Sequence, residues 1–236
     1  MAEYYLISQL PSLDNLGDNA PLPITWEWFD DLCKRHLSGK ALAVMQELTL
    51  LPPRDCETDG SGFVAAWNAA ERGLRLALGK VRAEKMNKSF DTQNIAFTPE
   101  QFKAASEAIQ LEDPLEAEKY LTRCRLAFLD SLKPMDPFAL DNVFHYGLKL
   151  KHLGIQKEML KSIVSLGIVD TTPALISERI YLYLAEIDSL GSMELDEGEL
   201  LEAELIPLSE LVKMVENGEI CDSKTQIAVL RAARKF

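Results

Sequence analysis

The sequence predicts a mainly α-helical protein, in which a helical bundle is followed by a small α+β segment at the C-terminal end. Between about residue 25 and residue 160, apolar residues recur at helical spacing and no alternating strand pattern interrupts them. After residue 160 the apolar period changes to two. Residues 167–236 also carry 14 acidic and 6 basic side chains, a net charge of −8, against −4 for the other 166 residues. These changes predict two segments, 1–155 and 160–236.

The N-terminal part begins with YYLISQL, residues 4–10, which favours a short extended segment before Pro11. Thr25 is then a predicted N-cap for a helix through WEWFDDLCKRHL. The clearest helix follows, because its apolar residues alternate spacings of four and three, as in helices packed nearly parallel to their neighbours: Phe63, Trp67, Ala70, Leu74, Ala77 and Val81.

Two Asp-Pro pairs predict the next helices, since aspartate caps a helix and proline suits its first turn. Asp113-Pro114 opens one helix, with Glu116 three residues after the cap. Its predicted apolar face consists of Leu121, Cys124, Phe128 and Leu132. Asp136-Pro137 opens the other helix, which Gly154 is expected to end.

The last third predicts strands and short helices. Residues 179–186 alternate between two faces, which indicates a strand, and residues 200–206 indicate a second one that ends at Pro207. Ser209 is expected to cap a helix that runs to Asn217-Gly218. Asp222 is expected to cap the final helix, whose apolar stripe contains Ile227, Leu230 and Ala233 or Arg234.

Composition excludes several classes of function. The net charge is −12 and neither segment is basic, so nucleic-acid binding has no electrostatic support. No apolar run approaches the roughly 18 residues of a membrane span, and the N-terminus lacks a basic region typical of a signal peptide. The scattered cysteines favour free thiols in the cytoplasm: Cys33, Cys56, Cys124 and Cys221. We interpret His36, His145 and His152 as helix-surface or core residues, because no carboxylate lies between His145 and His152 at ligand spacing, and we expect neither a metal site nor a cofactor.

Three stretches of the first segment resemble a family: YYLISQLPSL, FVAAWNAAERGLRLALGKVRAEKM, and LEDPLEAEKYLTRCRLAFLDSLKPMDPFALDNVFHYGLKLKHL. They are similar to bacterial proteins allied to the C (or d) subunit of V-type ATP synthases, over roughly residues 1–155. That resemblance implies an all-helical, non-catalytic subunit in proton or sodium transport. It also implies partners among the other ATPase subunits, the central stalk and the rotor ring, and a cytoplasmic location peripheral to the membrane.

The second segment resembles another family. LGIVDTTPALISERIYLYLAE and LDEGELLEAELIPLSELVKMVENGEICDSKT are similar to the C-terminal part of Nudix hydrolases of the ADP-ribose pyrophosphatase type. The resemblance implies that an acidic loop at Asp196, Glu197 and Glu199 lies over the substrate, with Glu197 or Glu199 able to activate water. The defining Nudix box holds Mg²⁺ on clustered glutamates, and it requires an Arg-Glu dipeptide that occurs nowhere in this chain.

Two functions therefore stay open. The first is a non-catalytic coupling subunit, whose partner-binding candidates are two tryptophans and three arginines: Trp26, Trp28, Arg72, Arg75 and Arg82. A core role for one tryptophan and a solvated face for the arginines are the plain alternatives. The second is a Nudix-derived protein that binds a nucleoside diphosphate, or a Mg²⁺-dependent hydrolase completed by a partner chain, with homo-oligomerisation through the C-terminal sheet. A third interpretation is a fusion, natural or artificial, with its junction near residues 150–165.

Overall fold

The computed structural model describes residues 2–14, 16, 20–52, 60–90, 97–171, 178–187 and 204–236. Within them the chain forms nine helices and one two-stranded antiparallel sheet, which confirms the predicted fold class. The chain divides into two compact units, a helical unit Met1–Lys157 and a C-terminal unit Glu158–Phe236. In chain order the elements are α1 Ala2–Ser8, α2 Trp26–His36, α3 Gly39–Gln46, α4 Gly62–Lys85, α5 Pro99–Gln110, α6 Pro114–Ser131, α7 Asp141–Ser162, β1 Ile163–Asp170, β2 Arg179–Ala185, α8 Leu208–Glu216 and α9 Ser223–Ala233.

The extended segment predicted at residues 4–10 is wrong, because α1 covers most of it. Leu6 is fully buried in the main core, and Ile7 and Leu10 pack against that core at helical spacing. A segment this short carries too few residues for the apolar period to distinguish a helix from a strand. Tertiary packing therefore decided its conformation.

Local capping chemistry begins three of the predicted helices as expected. The Thr25 hydroxyl accepts a hydrogen bond from the Trp28 N–H at 3.2 Å, at the start of α2. Asp113 Oδ1 accepts from the Leu115 N–H at 2.8 Å, at the start of α6. Asp222 Oδ2 accepts from the N–H of the third residue of α9 at 2.8 Å. Each carboxylate or hydroxyl satisfies an N–H group that the first turn cannot pair.

Helices α3 and α5 were not predicted. Helix α5 has a full capping box, in which the Thr98 hydroxyl accepts from the Gln101 N–H and the Gln101 side chain accepts from the Thr98 N–H. The Thr98–Gln101 capping box, with Pro99 at the first helical position, is a sequence pattern that predicts a helix start here. Helix α3 is short, and its N-cap Ser38 makes no side-chain capping bond, so its local signal is weak.

The predicted apolar face of α6 is only partly buried. Leu121 is buried as expected, and so is Leu129, which was not on the predicted face. Phe128 remains 39% exposed, and Cys124 is half-buried. The helix thus buries one stripe in the core and leaves the neighbouring apolar stripe partly uncovered.

Helix α7 begins later and ends later than predicted. Asp136 accepts a hydrogen bond from the Phe138 N–H at 3.0 Å, and its carbonyl accepts from the Asn142 side chain at 2.7 Å. These bonds close a turn before the helix, so the helix begins at Asp141. Gly154 does not end the helix, which continues to Ser162, because an interior glycine costs a helix only about 1 kcal/mol relative to alanine.

The described residues of the helical unit form two apolar clusters. The larger one joins α1, α2, α3, α4, α6 and α7 around fully buried side chains that include Phe29, Trp67, Phe144 and Leu148. The smaller one lies where α4, α5 and α6 meet, around residues such as Leu74, Ala105 and Leu121. The cluster sizes indicate that the helical unit derives most of its stability from the first cluster.

The C-terminal unit is built on a hairpin. Strand β2 matches the strand predicted at residues 179–186, whereas β1 was not predicted. The two strands pair from Ile163–Ala185 to Asp170–Arg179, with an irregularity between Ser165 and Gly167. Gly167 has φ +94°, a conformation that favours glycine. The second strand predicted at 200–206 is wrong for residues 204–206, which form no strand, and residues 200–203 lie outside the described part.

Two details of the last helices also differ from the predictions. Pro207, not Ser209, is the N-cap of α8, and it offers no side-chain capping bond. In α9, Val229 and Ala232 are buried, whereas Leu230 is exposed. The predicted stripe is therefore wrong at Leu230, whereas Ile227 packs as predicted against the cluster formed with β1 and β2.

Candidate interaction surface

The two predicted tryptophan anchors have different environments. Trp26 packs on Phe29 with ring centroids 5.5 Å apart, and the Lys151 ammonium lies 4.1 Å from the centroid of the indole. The indole of Trp26 thus makes its cation–π and packing contacts within the helical unit. Trp28 is 40% exposed on the same helix. Of the two, Trp28 is therefore the one available to a partner.

The three predicted arginines do not share one environment. Arg75 Nε lies 2.9 Å from Glu71 Oε1, and Arg75 Nη2 donates to the Leu50 carbonyl at 3.3 Å. Arg72 is half-buried, whereas Arg82 is exposed in the last turn of α4. Arg75, although its side chain is 41% exposed, is engaged within the helical unit. We therefore take the exposed Arg82 as the predicted arginine that is available to a partner.

A buried ionic network links α4 and α6, and the sequence did not predict it. The Glu71 carboxylate is almost wholly buried, and its second oxygen accepts from Arg125 Nε at 3.0 Å. Arg125 Nη1 also contacts Glu118 at 2.8 Å. Burial disfavours the charged guanidinium, but Glu71 and Glu118 outweigh it and raise the pKa of Arg125. The two residues at its centre are 54 positions apart, beyond the reach of local pattern analysis.

A second ionic cluster joins the N-terminal segment to α6 and α7. Lys149 Nζ donates to Asp14 at 2.7 Å and to Asp130 at 2.9 Å, and His145 Nε2 lies 3.0 Å from Asp130. Burial disfavours the charge on Lys149, but its hydrogen bonds to Asp14 and Asp130 raise its pKa. The pKa of Asp14 is lowered, chiefly by its hydrogen bond to Lys149. The charged groups of this cluster therefore also pair with one another inside the helical unit.

The other histidines have structural environments. His152 packs edge-on against Trp67, with centroids 5.1 Å apart, and burial, with a smaller contribution from Arg125, lowers the pKa of His152 to about 4. His36 Nε2 lies 3.4 Å from the Gln9 side-chain nitrogen. Among the residues that the structure describes, no three His, Cys, Asp or Glu side chains converge as metal ligands would.

Three described cysteines are free thiols: Cys33, Cys124 and Cys221. Burial, assisted by Asp30, raises the pKa of Cys33 to about 12, so this thiol is unreactive at neutral pH. Cys56 lies outside the described residues. None of the described helices has the length and apolarity needed to span a bilayer.

An exposed aromatic patch, formed by Tyr4, Tyr5 and Phe138, was not predicted. The ring centroids of Tyr4 and Phe138 are 4.6 Å apart, and those of Tyr4 and Tyr5 are 5.9 Å apart. The three residues are 51%, 62% and 47% exposed, respectively. Contiguous exposed aromatic surface is typical of protein interaction sites. The aromatic patch is therefore the described surface best suited to a partner.

Asp196, Glu197 and Glu199 lie outside the described residues, so their predicted role in water activation stays a prediction.

We compared the chain with protein-family models, curated proteins and solved structures, and it has no match in any of the three.

Proposed function

We propose that this chain is a non-catalytic coupling subunit that binds other subunits of a V-type ATP synthase, at the central stalk and rotor ring. It would act in the cytoplasm, peripheral to the membrane, in proton or sodium transport. The observation that carries the proposal is the aromatic patch. Tyr4 and Tyr5 belong to the YYLISQLPSL stretch and Phe138 to the PF pair, and both stretches carry the resemblance to the V-type ATP synthase family. In the fold these residues are exposed, which favours a binding role for them.

The use of charge in the helical unit supports the same proposal. Glu71 and Lys149 are buried, one in each ionic cluster, and each contacts two partners within the unit. Groups committed in this way hold helices in register and are poorly placed to exchange protons with a substrate. The extent of the helical unit, Met1–Lys157, is also close to that of the resemblance, residues 1–155.

The partner surface we propose combines the aromatic patch with the accessible members of the predicted set, Trp28 and Arg82. Exposed tyrosine, tryptophan and arginine are the residues most often found to dominate binding energy at protein interfaces. Trp26 and Arg75 are left out, since both are engaged inside the helical unit. Reversing the charge of Arg75 would disturb the Glu71 network, and a loss of binding in such a variant would be ambiguous.

The experiment is purification of an affinity-tagged full-length chain from the cells that produce it, with mass-spectrometric identification of the proteins recovered. We expect V-type ATPase subunits with the wild type, and at least a tenfold lower recovery with the double variant Tyr5→Ala/Phe138→Ala. The matched control is Phe236→Ala, which removes an exposed aromatic ring from the C-terminal unit and should leave recovery unchanged. Circular dichroism checks that each variant is folded.

Two outcomes contradict the proposal at different levels. If the wild type recovers no ATPase subunit, the proposed function is wrong. If the wild type recovers them and the folded double variant does so equally well, the aromatic patch is not the binding surface. The proposal also expects no Mg²⁺-dependent hydrolysis of ADP-ribose by the full chain. Turnover that disappears in Glu197→Gln or Glu199→Gln would instead support the Nudix-derived alternative.

A further inference from the structure

The helical unit contains a cavity of about 760 Å³ between α4, α5 and α6, and none of the aromatic-patch residues lines it. Pockets that hold cofactor-sized or drug-sized molecules generally have volumes of about 300–1,000 Å³. They are mostly apolar and contain a small number of polar groups. The volume of this cavity therefore suits one small molecule.

The walls of the cavity are largely apolar. Trp67 and Leu74 contribute from α4, Ala104 from α5, and Cys124 and Phe128 from α6. Both α6 residues belong to the face that the sequence predicted in the core, and the fold leaves them partly uncovered. An occupant of the cavity would cover this apolar surface, which removes it from water and favours binding.

Five charged side chains also line the cavity, and the two deepest are already paired. Glu71 contacts Arg75 at 2.9 Å and Arg125 at 3.0 Å. Arg125 has a second carboxylate partner, Glu118, at 2.8 Å. A charged ligand would have to break one of these pairs and leave a buried charge without its partner, which opposes binding.

The remaining three charged side chains lie on α5 and are engaged as well. Glu107 accepts a hydrogen bond from the Tyr120 hydroxyl and lies 3.8 Å from Lys103 Nζ. Hydrogen bonding to its own backbone N–H and to Thr98 lowers the pKa of the Glu100 carboxyl. The two deep charges of the described lining are thus committed to neighbouring protein groups, whereas the three on α5 are exposed to solvent. A neutral molecule is therefore the electrostatic complement of the deep part of the lining.

We propose that this cavity binds a neutral small molecule with an aromatic or aliphatic body. The apolar walls provide the favourable burial, and the paired charges select against anions and cations. The site is independent of the proposed role as a coupling subunit, because it uses neither the aromatic patch nor Trp28 and Arg82.

The test uses two fluorescent probes that share an anilinonaphthalene body, the neutral N-phenyl-1-naphthylamine and the anionic 8-anilinonaphthalene-1-sulfonate. Each is titrated into the folded full-length chain. We expect saturable binding of the neutral probe at one molecule per chain, with blue-shifted emission, and at least tenfold weaker binding of the sulfonate. Absence of saturable binding, or equal affinity for both probes, overturns the proposal.

A pair of alanine-to-tryptophan variants locates the site. Ala127 is an exposed residue of α6 that lines the cavity, so Ala127→Trp should fill it and weaken the neutral probe at least tenfold. Ala66 is an exposed residue of α4 outside the lining, so Ala66→Trp should change nothing. Should Ala127→Trp fail to fold by circular dichroism, the less bulky Ala127→Leu serves in its place. Equal effects of the cavity variant and the control overturn the proposal.

A second copy of the chain is the competing occupant, and sedimentation decides between the two. If apparent affinity for the neutral probe falls as protein concentration rises, and a dimer seen in the wild type is absent in Ala127→Trp, the cavity is a self-association surface. That result overturns the small-molecule proposal. A monomer that binds the probe at all protein concentrations supports it.

Discussion

The helical unit and the C-terminal unit reach stability by different means. Among the described residues, the main cluster of the helical unit holds seventeen buried apolar side chains, including Trp67, Phe29 and Phe144. The corresponding cluster of the C-terminal unit holds three, Leu166, Leu182 and Ala232. The burial of a large apolar core offers enough free energy to offset the cost of desolvating ion pairs. The helical unit accordingly buries Glu71 and Lys149.

The C-terminal unit relies instead on hydrogen bonds at its surface. Its two strands are joined by backbone hydrogen bonds. At the register irregularity beside Gly167, the side chain of Arg231 from α9 bonds to the backbone of β1. Arg231 Nη1 donates to the carbonyls of Leu166 at 2.8 Å and Ile168 at 3.4 Å. The comparison shows that buried ion pairs occur in the unit with the large apolar core. In the unit with the small core, hydrogen bonds to the backbone take a larger share of the stabilising contacts.

The largest expected effect is on autonomous folding. A chain truncated after Ser162, where α7 ends, should stay soluble and helical by circular dichroism and unfold cooperatively with heat. Residues 163–236 alone should show no cooperative transition, because so small a core does not offset the entropy of ordering the chain. A cooperative thermal transition of the isolated C-terminal piece would break the comparison.

The second prediction concerns the buried network. Glu71→Ala leaves the half-buried Arg125 guanidinium without its innermost partner, and we expect the free energy of unfolding to fall by about 3–5 kcal/mol in urea titrations. Glu118→Ala is the matched control, since Glu118 contacts the same arginine from a side chain that is more exposed, and it should cost about 1 kcal/mol or less. Equal losses in the two variants would show that burial does not set the strength of this network.

The third prediction concerns pH. The pKa of His152 is about 4 in the fold against 6.5 for the free side chain, so the unfolded chain binds a proton that the folded chain excludes. The free energy of unfolding is therefore highest above pH 6.5, where His152 is neutral in both states. It falls as the pH drops from 6.5 toward 4, by about 3 kcal/mol in total. His145, whose pKa is also lowered by burial, adds to this dependence.

Urea titrations between pH 7.5 and 4 measure this dependence. His152→Phe keeps an aromatic ring beside Trp67 and should reduce, without abolishing, the loss of stability on acidification. A variant with the same pH dependence as the wild type would show that His152 does not exclude the proton.

The smallest effect is expected in the C-terminal unit. Arg231→Ala removes the hydrogen bonds to the Leu166 and Ile168 carbonyls, and it should lower the stability of that unit by about 1–2 kcal/mol. Arg234→Ala, at the exposed end of the same helix, is the control and should have little effect. Hydrogen exchange of the amides in β1 and β2 measures the change. Unaltered protection in Arg231→Ala would show that the ladder holds without the arginine.

What the sequence alone determined is mostly local. Thr25, Asp113 and Asp222 cap the helices that they were predicted to cap, because a cap acts within three residues of its own position. The helical period of residues 63–81 and the strand period of residues 179–186 also appear as predicted, since each depends on one repeating face.

The tertiary structure decided what depends on residues distant in sequence. Residues 4–10 fit either period, and the burial of Leu6 selected the helix. Glu71 meets Arg125, Asp14 meets Lys149 across 135 positions, and Tyr4 meets Phe138 only after folding. Sequence patterns report which face of an element is apolar, but they do not report which neighbour covers that face. For that reason Phe128 was expected in the core and instead lies against an open cavity, and the cavity and the aromatic patch became visible only in the fold.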